Sequence, residues 1–240
     1  MNYKNIIIST KQELINSYED KEFDSPFRST IPLLELFFEN KEILKKIINY
    51  DESFNAIFED ETKPYEESKH PSCTDLRLYN NEYNYCIEAK QTENEYDSLE
   101  KALSERPGRK NSVEGFLQII NERCNTNLTI DDVSNITYQM IHRFASACKV
   151  SGKTEMLYFC FNITSEKEQY YKSELEKIYK LTNGTIPIKI VLMDTEPTSE
   201  FKVIQDKWTI KKERKLSEEI KNAMTKKVMN IKLKQIIEVN

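Results

Sequence analysis

Asp75 and the triplet Glu88-Ala89-Lys90, with twelve residues between them, are the residues of this chain whose types and spacing could do chemistry together. Two carboxylates and a lysine at one end of a sheet can bind a hard divalent cation and steady a water molecule. Such a set suits hydrolysis of a phosphodiester. Both groups sit in stretches that read as strand. Residues 73–79 and 83–90 are short runs joined by the turn Asn80-Asn81-Glu82. Alternate side chains of a strand share a face. Asn84, Cys86, Glu88 and Lys90 then point one way, and Tyr83, Tyr85, Ile87 and Ala89 the other. On the first strand Cys73, Asp75, Arg77 and Tyr79 share a side, so pairing brings Asp75 and Glu88 together beside Lys90.

An acidic residue two before a lysine is common here. Seven other such triplets occur: Glu19-Lys21, Glu39-Lys41, Glu61-Lys63, Glu67-Lys69, Glu200-Lys202, Glu213-Lys215 and Glu219-Lys221. They mostly lie in polar or helical stretches and read as solvated charge. Only Glu88-Ala89-Lys90 closes an alternating strand with an acidic strand just before it; the competing reading is an exposed edge of charged side chains.

The spacing from Asp75 to Glu88-Ala89-Lys90 resembles the PD-(D/E)XK nuclease superfamily, although Pro71 lies four residues before Asp75 instead of next to it. The resemblance implies an α/β restriction-endonuclease-like core, a mixed central β-sheet flanked by helices. It implies that Asp75, Glu88 and the Ala89 carbonyl hold Mg²⁺ or Mn²⁺ and that Lys90 orients or deprotonates the attacking water. It also implies DNA as substrate, a restriction or defence role, and a homodimer where both strands of a duplex are cut. In such nucleases an acidic residue of the first helix supports the metal, a role that would fall to Glu35 if this residue does not simply face outward. The segment YQMIHRFASAC, with TDL and IEAKQTE, is similar to bacterial proteins placed with the same clan, over about residues 27–150. That similarity assigns Gln139, His142 and Arg143 to holding DNA or the scissile phosphate. The alternative is a structural histidine and a surface arginine.

Composition bounds the rest. A chain of 240 residues with 31% charged residues and only 4 Gly is neither disordered nor collagenous. We expect one domain over 1–240 with a basic C-terminal helical segment at about 211–240. No apolar run has the length of a membrane span, and Met1–Thr10 lacks the pattern of a signal peptide, so the expected location is the cytoplasm. Five cysteines without a C-x-x-C pair support neither a zinc site nor a disulfide framework. The net charge is −5, unevenly spread: residues 201–240 hold 11 Lys and Arg against 5 Asp and Glu, leaving 24 against 35 elsewhere. A basic C-terminal region can contact phosphates, or can simply be a soluble face. The turn Arg106-Pro107-Gly108-Arg109-Lys110 offers Arg109 and Lys110 to a phosphate, or stands as a basic surface loop.

The elements that must position these groups follow from periodicity. The sequence predicts helices over 11–20 and 27–49, a strand over 53–58, a charged loop over 60–70, and the two strands already described. A polar segment 91–111 follows, then a helix over 112–124 and another from Asp131 or Asp132 to about Val150. On that helix Gln139, His142, Arg143 and Ser146 form a polar face. Strands over 155–163 and 186–193 bracket a helix over 166–182, which suggests a crossover. A strand near 201–210 and a long basic helix over 213–237 complete the reading. Two other classes compete with a nuclease. A non-catalytic nucleic-acid-binding or assembly protein would share the fold. A serine or cysteine hydrolase has little support from two histidines and no nucleophile elbow.

Overall fold

Two short strands, β1 (Asn2–Tyr3) and β2 (Ile6–Ile7), begin the chain, and Thr10 caps α1 (Lys11–Ser17) by accepting from the Glu13 N–H. The structure, a computed structural model, describes residues 1–48, 50–93 and 95–240. After a 3-10 turn at Asp20–Phe23 the single helix expected over 27–49 is two, α2 (Thr30–Glu39) and α3 (Lys41–Ile48), and Asn49 lies outside the described residues. Asn40 makes the break. Its side-chain amide donates to the Glu35 carbonyl at 3.0 Å and its N–H to the Leu36 carbonyl, terminating the first helix.

β3 (Asn55–Thr62), β4 (Ser72–Tyr79) and β5 (Tyr83–Lys90) form an antiparallel meander, with β3 running on into the charged stretch expected as loop. The β4–β5 turn is set by Asn80, whose Oδ1 accepts from the N–H groups of Glu82 and Tyr83. The polar segment 91–111 contains a helix, α4 (Leu99–Glu105), and a 3-10 turn at Pro107–Arg109. α5 (Lys110–Cys124) follows. The helix expected from Asp131 is only a 3-10 turn there; α6 starts at Tyr138 and runs to Lys149. Residues 134–137 instead bend back over α4, with the Leu99 N–H donating to the Ile136 carbonyl. β6 (Lys153–Phe161), α7 (Ser165–Leu181) and β7 (Ile188–Pro197) come next.

The carboxy-terminal expectations are corrected. Residues 201–210 are helical, as α8 (Ser199–Thr209), because Thr198 caps them and Phe201 and Ile204 bury one turn apart. The long basic helix over 213–237 does not form. A short α9 (Ser217–Ala223) is followed by a strand, β8 (Met229–Glu238), antiparallel to β7. Alternation of Met229 and Ile231 with exposed Asn230 and Lys232 suits this edge position, and exposed Lys232 and Lys234 discourage further pairing.

One mixed sheet thus carries all eight strands, in the order β2-β1-β3-β4-β5-β6-β7-β8. β5, β6 and β7 are mutually parallel, and helices cover both faces. β6 reads as nearly continuous apolar sequence because it is buried on both sides. Leu76, Ile87 and Phe159 face the core beneath α1–α3, α8 and α9. Cys86, Met156 and Tyr158 face the core beneath α4–α7. No helix is long and apolar enough to cross a membrane among the described residues.

Glu35 anchors the first of these cores. It is fully buried, accepts from Lys11 Nζ at 2.8 Å, and accepts from the Val228 N–H at 2.9 Å where β8 begins. Replacing it leaves two buried backbone N–H groups without their acceptor and Lys11 with Glu39 as its remaining carboxylate. Glu35→Ala should lower stability by roughly 3 kcal/mol in urea denaturation, with Glu35→Gln losing less. A loss below about 1 kcal/mol would contradict the anchoring role.

Candidate active site

The β4–β5 ladder pairs Arg77 with Cys86 and Leu76 with Ile87, and then stops. Beyond that point the Asp75 carboxylate replaces the backbone as partner: Oδ2 accepts from the Ala89 N–H at 2.7 Å. In a strand a residue's N–H and C=O point to the same side, so the Ala89 carbonyl also opens toward Asp75. Glu88 points to the other core, beside Tyr158 on β6, and is 1% exposed. Arg143 from α6 brings its Nε to 2.9 Å of Glu88 Oε1. Neither atom has a hydrogen-bond partner of good geometry, so this is an ion contact in which the Glu88 oxygen is left unsatisfied. Lys90 Nζ stands 3.5 Å from Glu88 Oε2 and 5.6 Å from the Tyr96 ring centre.

Burial pushes the Glu88 carboxyl up to about 7, with Asp75 adding repulsion and Arg143 and Lys90 opposing both. Burial works against the Lys90 ammonium, but Glu88 and Asp75 outweigh it and its pKa is raised. The same balance, led by burial and reversed by Glu88, raises Arg143. The site therefore keeps two cations against carboxylates that are short of water.

Sequence reasoning missed two acids here. Glu59 has φ +53° in β3, between the pairs Phe58↔Leu76 and Asp60↔Thr74, which sets it opposite Asp75. A non-glycine residue in this region is strained, and such strain gathers at functional sites. Burial and then the Asp75 charge push its carboxyl up to about 8. Glu22, from the 3-10 turn before α2, is also raised, by burial first and in part by Asp75. The signal in the sequence was slight: charge at Glu59-Asp60-Glu61 breaks the alternation of Ala56 and Phe58.

The polar face of α6 is used in three ways. His142 Nδ1 shares a 2.9 Å hydrogen bond with the buried Ser72 hydroxyl, and Arg143 Nη1 donates to the same oxygen at 3.4 Å. Burial, then the charge of Arg143, holds the His142 ring well below the ordinary histidine range, so it is neutral. Gln139, one turn before Arg143, has a buried Oε1 without a hydrogen-bond partner among the described residues. Arg109 lies over the Tyr138 ring at 5.1 Å and shares a hollow with His142. Lys110 is not brought there. It faces Glu114 at 4.0 Å and lines a different hollow, since successive residues of a helical turn diverge. Glu35 is likewise not brought to the cluster: its partners Lys11, Val228 and Met229 belong to the core on the opposite face of the sheet from Glu88.

A family model described as "Domain of unknown function (DUF6946)" matches residues 7–212. The chain belongs to this family. The match takes in Glu59, Asp75, Glu88, Lys90 and Arg143 and leaves out β8. Searches of curated proteins and of solved structures found no match.

A divalent cation at this DUF6946 site has suitable donors. Asp75, Glu88, the Ala89 carbonyl and Glu59 offer oxygen only, as hard cations prefer, and Glu88 Oε1 is a buried acceptor without a satisfied partner. The spacing is not closed: among the described residues no group of three or more His, Cys, Asp or Glu stands near enough to hold a metal ion. Arg143 and Lys90 occupy the side of Glu88 that a cation would take.

The acids make a pH prediction. A carboxyl raised from the ordinary 4.5 to about 8 in the folded protein binds its proton more tightly there than in the unfolded chain. It therefore destabilises the fold progressively as pH rises through that window, and no further above it. Glu59→Gln removes this loss. Its stability relative to the parent should improve from about pH 4.5 to about pH 8 and then level off, as read from urea midpoints across pH. A difference that does not change with pH would show that Glu59 is not held protonated.

Proposed function

We propose that this DUF6946 domain is a divalent-metal-dependent nuclease of the PD-(D/E)XK type that hydrolyses phosphodiester bonds in DNA. The observation that carries the reading is the meeting of Asp75 and Glu88-Ala89-Lys90 where β4 and β5 part. Element order supports it. A helix, three antiparallel strands, helices and a strand parallel to the third follow one another, with the acids on the second and third strands. That order is the one expected of a restriction-endonuclease-like core. A cytoplasmic restriction or defence role, and a homodimer offering two sites to a duplex, belong to the same proposal.

Asp75, Glu88 and the Ala89 carbonyl would hold Mg²⁺ or Mn²⁺. When bound, the cation supplies Lewis acidity to the phosphate and acidity to a water. The protein groups do the rest. Lys90, raised and so protonated at neutral pH, acts by orienting the water and offsetting charge on the phosphate, not by deprotonation. Arg143 can exchange Glu88 for phosphate oxygens, which its planar fork suits. Ser72 and neutral His142 steady that guanidinium from behind. One observation favours a second reading, a non-catalytic nucleic-acid-binding or assembly protein: both Glu88 oxygens already face cations of the chain.

Supercoiled plasmid and single-stranded DNA incubated with Mg²⁺ or Mn²⁺ separate the two. The nuclease reading expects cation-dependent cutting that Asp75→Asn, Glu88→Gln and Lys90→Ala each slow by at least about 10²-fold. No cutting, with no Mn²⁺ bound by the parent protein, would support the non-catalytic reading. Cutting that survives all three substitutions would place the activity elsewhere.

A further inference from the structure

We infer that the hollow between Ser72, Arg106, Arg109, Tyr138 and His142 is a phosphate-binding subsite for a nucleic-acid strand, beside the Asp75–Glu88–Lys90 cluster. The inference deepens the nuclease proposal and rests on it for the identity of the strand. The hollow has a volume of about 510 Å³, enough for one nucleotide. Its floor is buried, with Ser72 3% and Phe116 2% exposed, while Arg106 stands at the open rim.

Its charge is the second ground. The chain has 40 Asp and Glu, yet among the described residues none lines this hollow. Neighbouring lysines on the same helices are paired, Lys101 with Asp97 and Lys110 with Glu114. Arg106 and Arg109 have no carboxylate partner among the described residues. Arg109 is held over Tyr138, which orders its guanidinium before any ligand arrives. One oriented guanidinium, that of Arg109, and a second unneutralised one at the rim, that of Arg106, over a buried floor match a phosphate group.

The third ground is connection. His142 closes the hollow and bonds Ser72, Ser72 accepts from Arg143, and Arg143 contacts Glu88. Phosphates at the hollow and at the carboxylates would then be neighbours on one strand. The phosphate is either a monoester at a strand end or a diester within it; both present the same oxygens to the arginines.

Fluorescence anisotropy tests this with labelled single-stranded oligonucleotides bearing a 5′-phosphate or a 5′-hydroxyl, in EDTA so that nothing is cut. Arg106→Ala/Arg109→Ala should weaken binding at least about tenfold. It should also flatten the dependence of log affinity on log salt by about 0.7, the value for one phosphate of a single strand. Arg106→Lys/Arg109→Lys should restore the salt slope but only part of the affinity, and Lys110→Ala should change nothing. A 5′-phosphate preference that the alanine variant loses identifies the terminal monoester, and equal loss on both oligonucleotides identifies the internal diester. Unchanged affinity and salt slope in the alanine variant would overturn the subsite, as would an equal loss in Lys110→Ala. Plasmid cleavage run alongside keeps the two proposals apart. Arginine-dependent binding without cutting in any condition retains the subsite and removes the nuclease. Lys90-dependent cutting with arginine-independent binding does the reverse.

Discussion

A carboxylate buried inside a sheet is the constraint around which this protein is arranged. Glu88 sits on a strand with neighbours on both sides and a helix above it, where water cannot solvate its charge. Isolated, such a group would shed its charge or unfold its surroundings. Arg143 and Lys90 are the answer, and each is itself buried enough to need Glu88. The three fix one another, so the position of α6 over β5 is set by charge as well as by the packing of Met140 and Phe144. Buried pairs of this kind rarely add net stability over an apolar core.

The Asp75 carboxylate solves a different problem. Where the β4–β5 ladder ends, the Ala89 N–H would lack a partner, and Asp75 supplies it. The pairing of β4 with β5 is thus carried one step past the ladder by a side chain. Glu59, in a left-handed conformation opposite Asp75, places a further acid across from it.

Glu35 and Glu88 show how little residue type says by itself. Both are buried glutamates in apolar stretches, and both face a lysine. Glu35 accepts backbone N–H groups and so is an anchor between α2 and the start of β8. Among the described residues Glu88 has no such donors and its buried Oε1 has no hydrogen-bond partner, so it serves no comparable anchoring role. Charge distribution behaves likewise. The basic residues after 200 lie mostly in a loop and on β8, three strands from β5, whereas the cations nearest the carboxylates come from residues 90–143.

The sequence by itself determined the strands that carry Asp75 and Glu88-Ala89-Lys90, the faces their side chains take, and the parallel strands after them. Alternation over eight residues and the turn chemistry of Asn80 are local, and no distant contact competes with them. It also marked the polar face of α6, because a helical repeat of Gln139, His142 and Arg143 is visible without knowing what it meets. Only the tertiary structure decided the rest. Whether residues 229–238 became helix or strand depended on the free edge of β7, which lies more than thirty residues earlier in the chain. Whether Glu35 joined the carboxylates depended on which face of the sheet α2 covered. The meeting of Ser72, Arg109 and His142 required a strand end, a 3-10 turn and a helix to converge. Such contacts join residues far apart in sequence, and periodicity carries no information about them.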